Sequence, residues 1–193
     1  MKYESIDSKL FIKNRANFSK EMKKNSIAFF NSNDIYPVSA DSTLPFEQHR
    51  DIFYLSGIDQ EESILVLSPD NPNPDLREIL FLKETSDHIA VWEGPKINKS
   101  QALKISGIKT VFWLNDLEKI INKLVNRCEN IYFNKNEHYR AKIETETREA
   151  RFNSWLENKY SKKNKERSNP ILQRLRSLKD PIEINLIQQA CDI

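Results

Sequence analysis

The chain has 193 residues, 38% of them hydrophobic, enough for one well-packed domain with a short appendage. Thirty basic against 28 acidic side chains leave a formal charge of +2, well mixed along the chain, which argues against nucleic acid or an anionic membrane as a partner. No apolar run approaches the roughly 20 residues that a bilayer requires, and charges occupy the N-terminal stretch where a secretory signal is apolar, so the expected location is the cytoplasm.

Residues 8–24 place Leu10, Phe11, Phe18 and Met22 among lysines and predict a helix with one apolar stripe, followed by a short buried strand, "SIAFF", at 26–30. From Asn31 to Arg50, Asn33, Asp34, Pro37 and Pro45 forbid long regular elements. "SILVLSP" predicts a strand at 63–67, "DNPNPD" a turn, and "EILFLK" at 78–83 the antiparallel return of a hairpin, with "HIAVWE" at 88–93 as a further strand candidate. Strands and helices then alternate: a helix near Lys99–Ser106 stopped by Gly107, the strand "KTVFWL", a helix near Asp116–Asn126, the strand "NIYFN", and a helix near Thr145–Tyr160. Alternation implies parallel pairing and the upstream hairpin antiparallel pairing, so the expected fold is α/β with a mixed sheet flanked by helices. "KYSKKNKERSNP" at 159–170 crowds lysines with Tyr160 as its only aromatic, and reads as a solvated connector rather than a phosphate-binding patch. A short amphipathic helix in "NPILQRLRSLK" follows. The final helix is started with care, with Asp180 as N-cap, Pro181 at the first helical position and Glu183 closing a capping box, yet the chain stops at Ile193 without a stop signal.

An evident active site is missing. With Gly57, Gly94 and Gly107 as the only glycines, neither a phosphate loop nor a dinucleotide fingerprint can be built in its usual form. His49, His88 and His138 are far apart in sequence and lack the local spacing of a metal site, Cys128 and Cys191 read as free thiols, and the strand centres carry no carboxylates for a two-metal nuclease. Two dense clusters remain. "PFEQHRDIFYLSGIDQEE" at 45–62 reads either as a ligand rim or as a strand wedging Phe46, Phe53 and Tyr54 into the core; "AVWEGPK" at 90–96 puts Trp92 where a strand leaves the sheet, as core or as an exposed contact.

These clusters and the C-terminal stretch "LRSLKDPIEINLIQQACDI", in this order, resemble the N-terminal domain of aminopeptidase P, the Xaa-Pro aminopeptidases of the creatinase and prolidase superfamily. The first is similar to the family's Phe-Arg-Gln run followed by Phe-Tyr-Leu-Thr-Gly and an acidic patch, the second to its Trp-x-Gly-x-Arg/Lys segment, and the third to the stretch leading into the catalytic domain. One departure stands out: Glu47 occupies the position after the Phe where the family commonly has arginine, which puts substrate preference in doubt.

The resemblance implies a ribonuclease H-like layer without nuclease activity over residues 1–168, and over 169–193 the linker and first helix of a following C-terminal pita-bread metallopeptidase domain. It implies that no catalytic or metal-ligating residue lies in this chain. The parent enzyme would remove the N-terminal residue preceding proline from peptides, with a binuclear manganese site of two aspartates, a histidine and two glutamates downstream of Ile193. This domain would serve oligomerisation into a dimer or tetramer and roof the substrate channel, with Trp92 reaching the cleft of a neighbouring subunit. The competing expectation is a non-catalytic peptide- or protein-binding module of a degenerate pita-bread protein.

Overall fold

The computed structural model describes residues 5–140 and 143–192, apart from the side chains of Asp87 and Trp92. In chain order its elements are α1 (Ser8–Glu21), β1 (Ser26–Asn31), the small hairpin β2 (Pro37–Ser39) and β3 (Ser42–Thr43), α2 (Arg50–Ser56), β4 (Ile64–Leu67), β5 (Glu78–Leu82), α3 (Asp87–Glu93), α4 (Lys99–Ser106), β6 (Thr110–Trp113), α5 (Leu117–Val125), β7 (Asn130–Phe133), α6 (Arg148–Lys159), β8 (Asn164–Arg167), α7 (Asn169–Ser177) and α8 (Pro181–Cys191).

Six strands form one mixed sheet in the order β6-β5-β4-β1-β7-β8, and β2 pairs with β3 apart from it. Antiparallel pairing joins β1 to β4, with Ala28 opposite Leu67, and β4 to β5, with Leu65 opposite Leu80. Parallel pairing joins β5 to β6, β1 to β7 and β7 to β8. The five strands expected from their apolar runs therefore lie in one sheet.

Side chains along each strand split by parity between two cores. Ala28, Phe30, Leu65, Leu67, Leu80, Leu82 and Tyr132 pack with Phe18 of α1, Ile52 and Leu55 of α2, Ala102 of α4 and Ile171 and Leu172 of α7. Ile27, Phe29, Ile64, Val66, Ile79, Phe81, Ile131 and Phe133 face Ile121, Leu124 and Val125 of α5 and Leu156 of α6. Both faces are covered, which is why these strands read as unbroken apolar runs rather than alternating ones.

Four local expectations change. Residues 45–62 contain a helix, α2, not a strand: His49 caps it through its Nδ1, which accepts from the Asp51 N–H at 3.3 Å, and Gly57 ends it in the left-handed conformation. Ile52 and Leu55 enter the core while Phe53 and Tyr54 stay half-buried. Residues 88–93 form α3 rather than a strand, because β6 holds the place beside β5 and Ser86 caps a helical turn by accepting from the Ile89 N–H. The lysine-rich connector contains β8, whose backbone pairs with β7 while its charged side chains protect the sheet edge. Within 169–193, expected as a linker and the first helix of a following domain, Ile171 and Leu172 are buried in the core of this one, whereas α8 has no buried residue and leaves Ile184 and Ile187 exposed.

Candidate functional site

The two clusters singled out in the sequence, far apart along the chain, meet in space. Gln48, 7% exposed, holds the turn after α2: its Nε2 donates to the carbonyls of Ile58 at 3.0 Å and Gln60 at 2.9 Å, and its Oε1 accepts from the His49 N–H at 2.8 Å. That turn presents Gln60, Glu61 and Glu62 in a row toward the segment carrying Trp92. Gln60 Oε1 accepts from the Ile97 N–H at 2.6 Å, Glu61 pairs with Lys96, and Lys83 at the end of β5 bridges Glu62 at 3.3 Å and Glu93 at 2.7 Å. The acidic patch after the glycine therefore fastens the chain that follows α3, and through Lys83 the last residue of that helix.

Electrostatics agree with this geometry. The hydrogen bond to Glu93 is the main cause that raises the Lys83 pKa, and the same bond lowers that of Glu93. Both side chains are solvent-accessible, so this pair is screened and orients the helix more than it stabilises the fold. The Glu61–Lys96 pair is more sheltered, with side chains 10% and 18% exposed, and is the firmer tether.

Held at its C-terminal end, α3 leaves Val91 76% exposed. The backbone of Trp92 belongs to the last turn of α3, two residues before Gly94, and its side chain lies outside the described residues. Glu47 projects into solvent beside Arg50, with 3.5 Å between their charged groups.

A second polar group lies where α7 leads to α8. Asp51 accepts from Arg176 at 2.8 Å and from Asn134 Nδ2 at 3.0 Å, and the Arg176 guanidinium lies 5.7 Å from the Tyr54 ring centre. Burial, with the charge of Glu183 adding to it, pushes the Tyr54 phenol up to about 12. The α8 capping box forms as the sequence predicts: Asp180 accepts from the Ile182 N–H and Glu183 from the Asp180 N–H, each at 2.9 Å. Sequence reasoning missed the roles of Asp51 and Arg176, because an ion pair across 125 positions leaves no local pattern.

Among the described residues no group of three or more His, Cys, Asp and Glu side chains is placed to hold a metal ion, and no helix is long and apolar enough to cross a membrane. His49 is held below the usual histidine range chiefly by burial. Cys128 is buried against Ser68 with its pKa raised by desolvation, which makes it an inert thiol.

Comparison with known proteins gives this arrangement a context. The family profile described as aminopeptidase P, N-terminal domain, matches residues 11–132. Human Xaa-Pro aminopeptidase 3 is 27% identical over 162 residues, 82% of this chain and 31% of that protein. Escherichia coli Xaa-Pro aminopeptidase is 24% identical over 97% of this chain and 43% of its own length. The chain thus spans less than half of each of these relatives. Among solved structures, a Bacillus anthracis protein assigned to aminopeptidase P superposes with a TM-score of 0.84 at 25% identity, covering 95% of this chain and 43% of that one. Zinc-substituted E. coli aminopeptidase P in complex with product gives 0.77 at 21% identity, covering 97% of this chain and 42% of that one. With the profile matching more than half of the chain, both motif clusters inside or adjoining that match and the same fold throughout, the chain belongs to the aminopeptidase P N-terminal domain family.

Proposed function

We propose that this domain is the non-catalytic N-terminal part of a Xaa-Pro aminopeptidase, that it roofs the substrate channel and contributes to a dimer or tetramer, and that Trp92 on α3 is its contact with the substrate cleft of a neighbouring subunit. The observation that carries this reading is the tethered helix: Lys83, Glu61 and Gln60 fix the C-terminal end of α3 and the residues that follow it, and Val91 beside Trp92 is exposed, as suits a helix offered to another surface. Peptides with proline in the second position would be the substrates. A binuclear manganese site would come from residues following this domain, and residues 169–193 would serve as linker and first helix of that part. The exposed Ile184 and Ile187 on α8 support the last point, since they await an apolar partner.

An apolar ring at the channel excludes water around the bound peptide and strengthens the polar contacts that orient it. In the enzyme that carries this domain, Trp92→Ala is expected to lower kcat/KM by about 1–3 kcal/mol, the scale of one apolar contact in substrate discrimination, with metal content and melting temperature unchanged. Unchanged kinetics in a folded, metal-loaded variant would remove Trp92 from the cleft.

The 193-residue chain by itself is expected neither to hydrolyse Xaa-Pro peptides nor to bind manganese at a stoichiometric site, because water activation at neutral pH needs a clustered ligand set. Calorimetric titration with manganese, together with a proline-peptide release assay, checks this. Turnover or a one-to-one site would show that the domain holds a catalytic centre of its own.

A further inference from the structure

A cavity of about 780 Å³ opens between the carboxyl ends of the parallel strands β1 and β7 and the N-terminal turn of α6. Its size is that of a small-molecule site. Ser32 after β1, His49 at the cap of α2 and Lys135 after β7 contribute to its walls, and Tyr36 and Ile143 give its mouth an apolar rim. On its floor is Glu149, 9% exposed, whose Oε1 is buried with no hydrogen-bond partner among the described residues. The Oδ1 of Asn134, the residue that hydrogen-bonds the Glu149 carboxyl, is likewise buried and unpartnered among the described residues. When the Glu149 carboxyl is ionised, its Oε1 is a buried acceptor without a donor in the wall of a cavity, an incomplete polar site, since buried acceptors are paired as a rule.

The structure assigns to this cavity, we infer, a small molecule carrying a primary ammonium group on an aliphatic stem, with the ammonium on Glu149 and the stem against Tyr36 and Ile143. Charge favours a cation over an anion. Glu144 and Glu146 also line the cavity, Lys135 is answered by Glu157 at 3.5 Å, and Arg148, whose Nε is buried and unpartnered among the described residues, has the charges of Asp34 and Glu62 near it. From α2, Asp51 adds negative charge and burial keeps His49 largely neutral at pH 7.

Burial, the largest cause, pushes the Glu149 carboxyl up to about 8; Asp51 adds to the rise, and Asn134 and Lys135 oppose it. At neutral pH the carboxyl is therefore mostly protonated in the free domain, and an arriving ammonium would displace its proton. Such a raised carboxyl favours folding below its unfolded pKa near 4.5, and this contribution is lost as pH rises through about 8. Glu149→Gln stays neutral throughout and should melt no lower than the parent chain at pH 8.

The test titrates the 193-residue chain with n-butylammonium, using n-butanol as the uncharged control, by calorimetry in two buffers and by NMR. The amine keeps its charge well above neutral pH, as a lysine side chain does. The expected result is saturable binding of the amine and not of the alcohol, with shifts confined to the cavity. Affinity should be about 25-fold tighter at about pH 8.5 than at about pH 6.5, with close to one proton released at neutral pH. Glu149→Gln should weaken binding at least about tenfold in a chain that still folds, converting a charged hydrogen bond to a neutral one. The wild-type pH profile reads the same carboxyl without any substitution. Absence of saturation, equal binding of butanol, a flat pH profile, or undiminished binding by the folded variant would each overturn the assignment.

Discussion

Replacing Gly57 by alanine is expected to destabilise the domain by about 2–5 kcal/mol, measured as a fall in the urea midpoint, because the new methyl meets two separate obstacles. Gly57 ends α2 at φ +68° and donates its N–H to the Phe53 carbonyl at 2.8 Å, a helix-ending conformation that side chains with a Cβ resist. A Cβ there would also lie 2.3 Å from Cε2 of Phe11, a ring 2% exposed in the core and edge-on to Phe53 at 6.2 Å. Such a ring has no free space into which to withdraw. Gly107 provides the control. It has nearly the same backbone, φ +73°, and its Cβ would clash with Ile12, a side chain 43% exposed and free to rotate away, while meeting Arg15 Nη2 at an ordinary contact distance of 3.9 Å. Gly107→Ala should therefore cost only the backbone strain, about 1–2 kcal/mol. Equal losses at the two positions would show that Phe11 does not hold the α1–α2 contact rigid.

Arg15→Ala is expected to cost about 3–5 kcal/mol, the second large effect, although arginine on a helix among lysines looks like a surface residue. Its side chain is 0% exposed: Nε donates to Glu78 Oε2 at 2.9 Å and Nη1 to the Leu55 carbonyl at 2.8 Å. Burial is the main cause that lowers its pKa, and the charge and hydrogen bond of Glu78 oppose that. Truncation to alanine leaves the Leu55 carbonyl at the end of α2 without its donor and opens a cavity, whereas Glu78, about a third exposed, can turn to water. Arg15→Met separates the contributions, because it keeps most of the volume and removes the charge. If the ion pair only offsets its own desolvation, Arg15→Met should lose no more than about 1–2 kcal/mol, and the difference from alanine measures the packing of the stem. A full alanine-sized loss in the methionine variant would place the energy in the Glu78 and Leu55 hydrogen bonds instead.

Both positions bear on the platform for α3. Gly57 lets the chain reverse after α2 so that Gln60, Glu61 and Glu62 face the Trp92 segment, and Arg15 ties α1 to the end of α2 from which that turn departs. The Phe-Tyr-Leu-Ser-Gly run, read from sequence as a cluster of aromatics before a glycine, is thus a capped helix followed by a directed turn. The aromatics were visible; their use was not, because Phe53 and Tyr54 are half-buried while Ile52 and Leu55 carry the core.

What the sequence determined by itself was whatever depends on neighbours a few residues away. The strands "SIAFF", "ILVL", "ILFL", "TVFWL" and "IYF" were legible because burial on both faces requires unbroken apolar runs, and the box of Asp180 and Glu183 because capping acts within one turn. Only the tertiary structure decided the rest. "HIAVWE" has the composition of a strand, but the place beside β5 is taken by β6, and a segment without a ladder partner satisfies its backbone as a helix. "NKER" has the composition of a loop, yet β7 offered it an edge, and backbone pairing is indifferent to the lysine and glutamate that face water. Arg15, Asp51 and Glu149 look like ordinary surface charges in the sequence; Arg15 is buried and Asp51 sheltered by contacts 40 to 125 positions away, and Glu149 is buried in the wall of a cavity. Burial and long-range charge pairing are properties of how elements stack, and no local pattern encodes them.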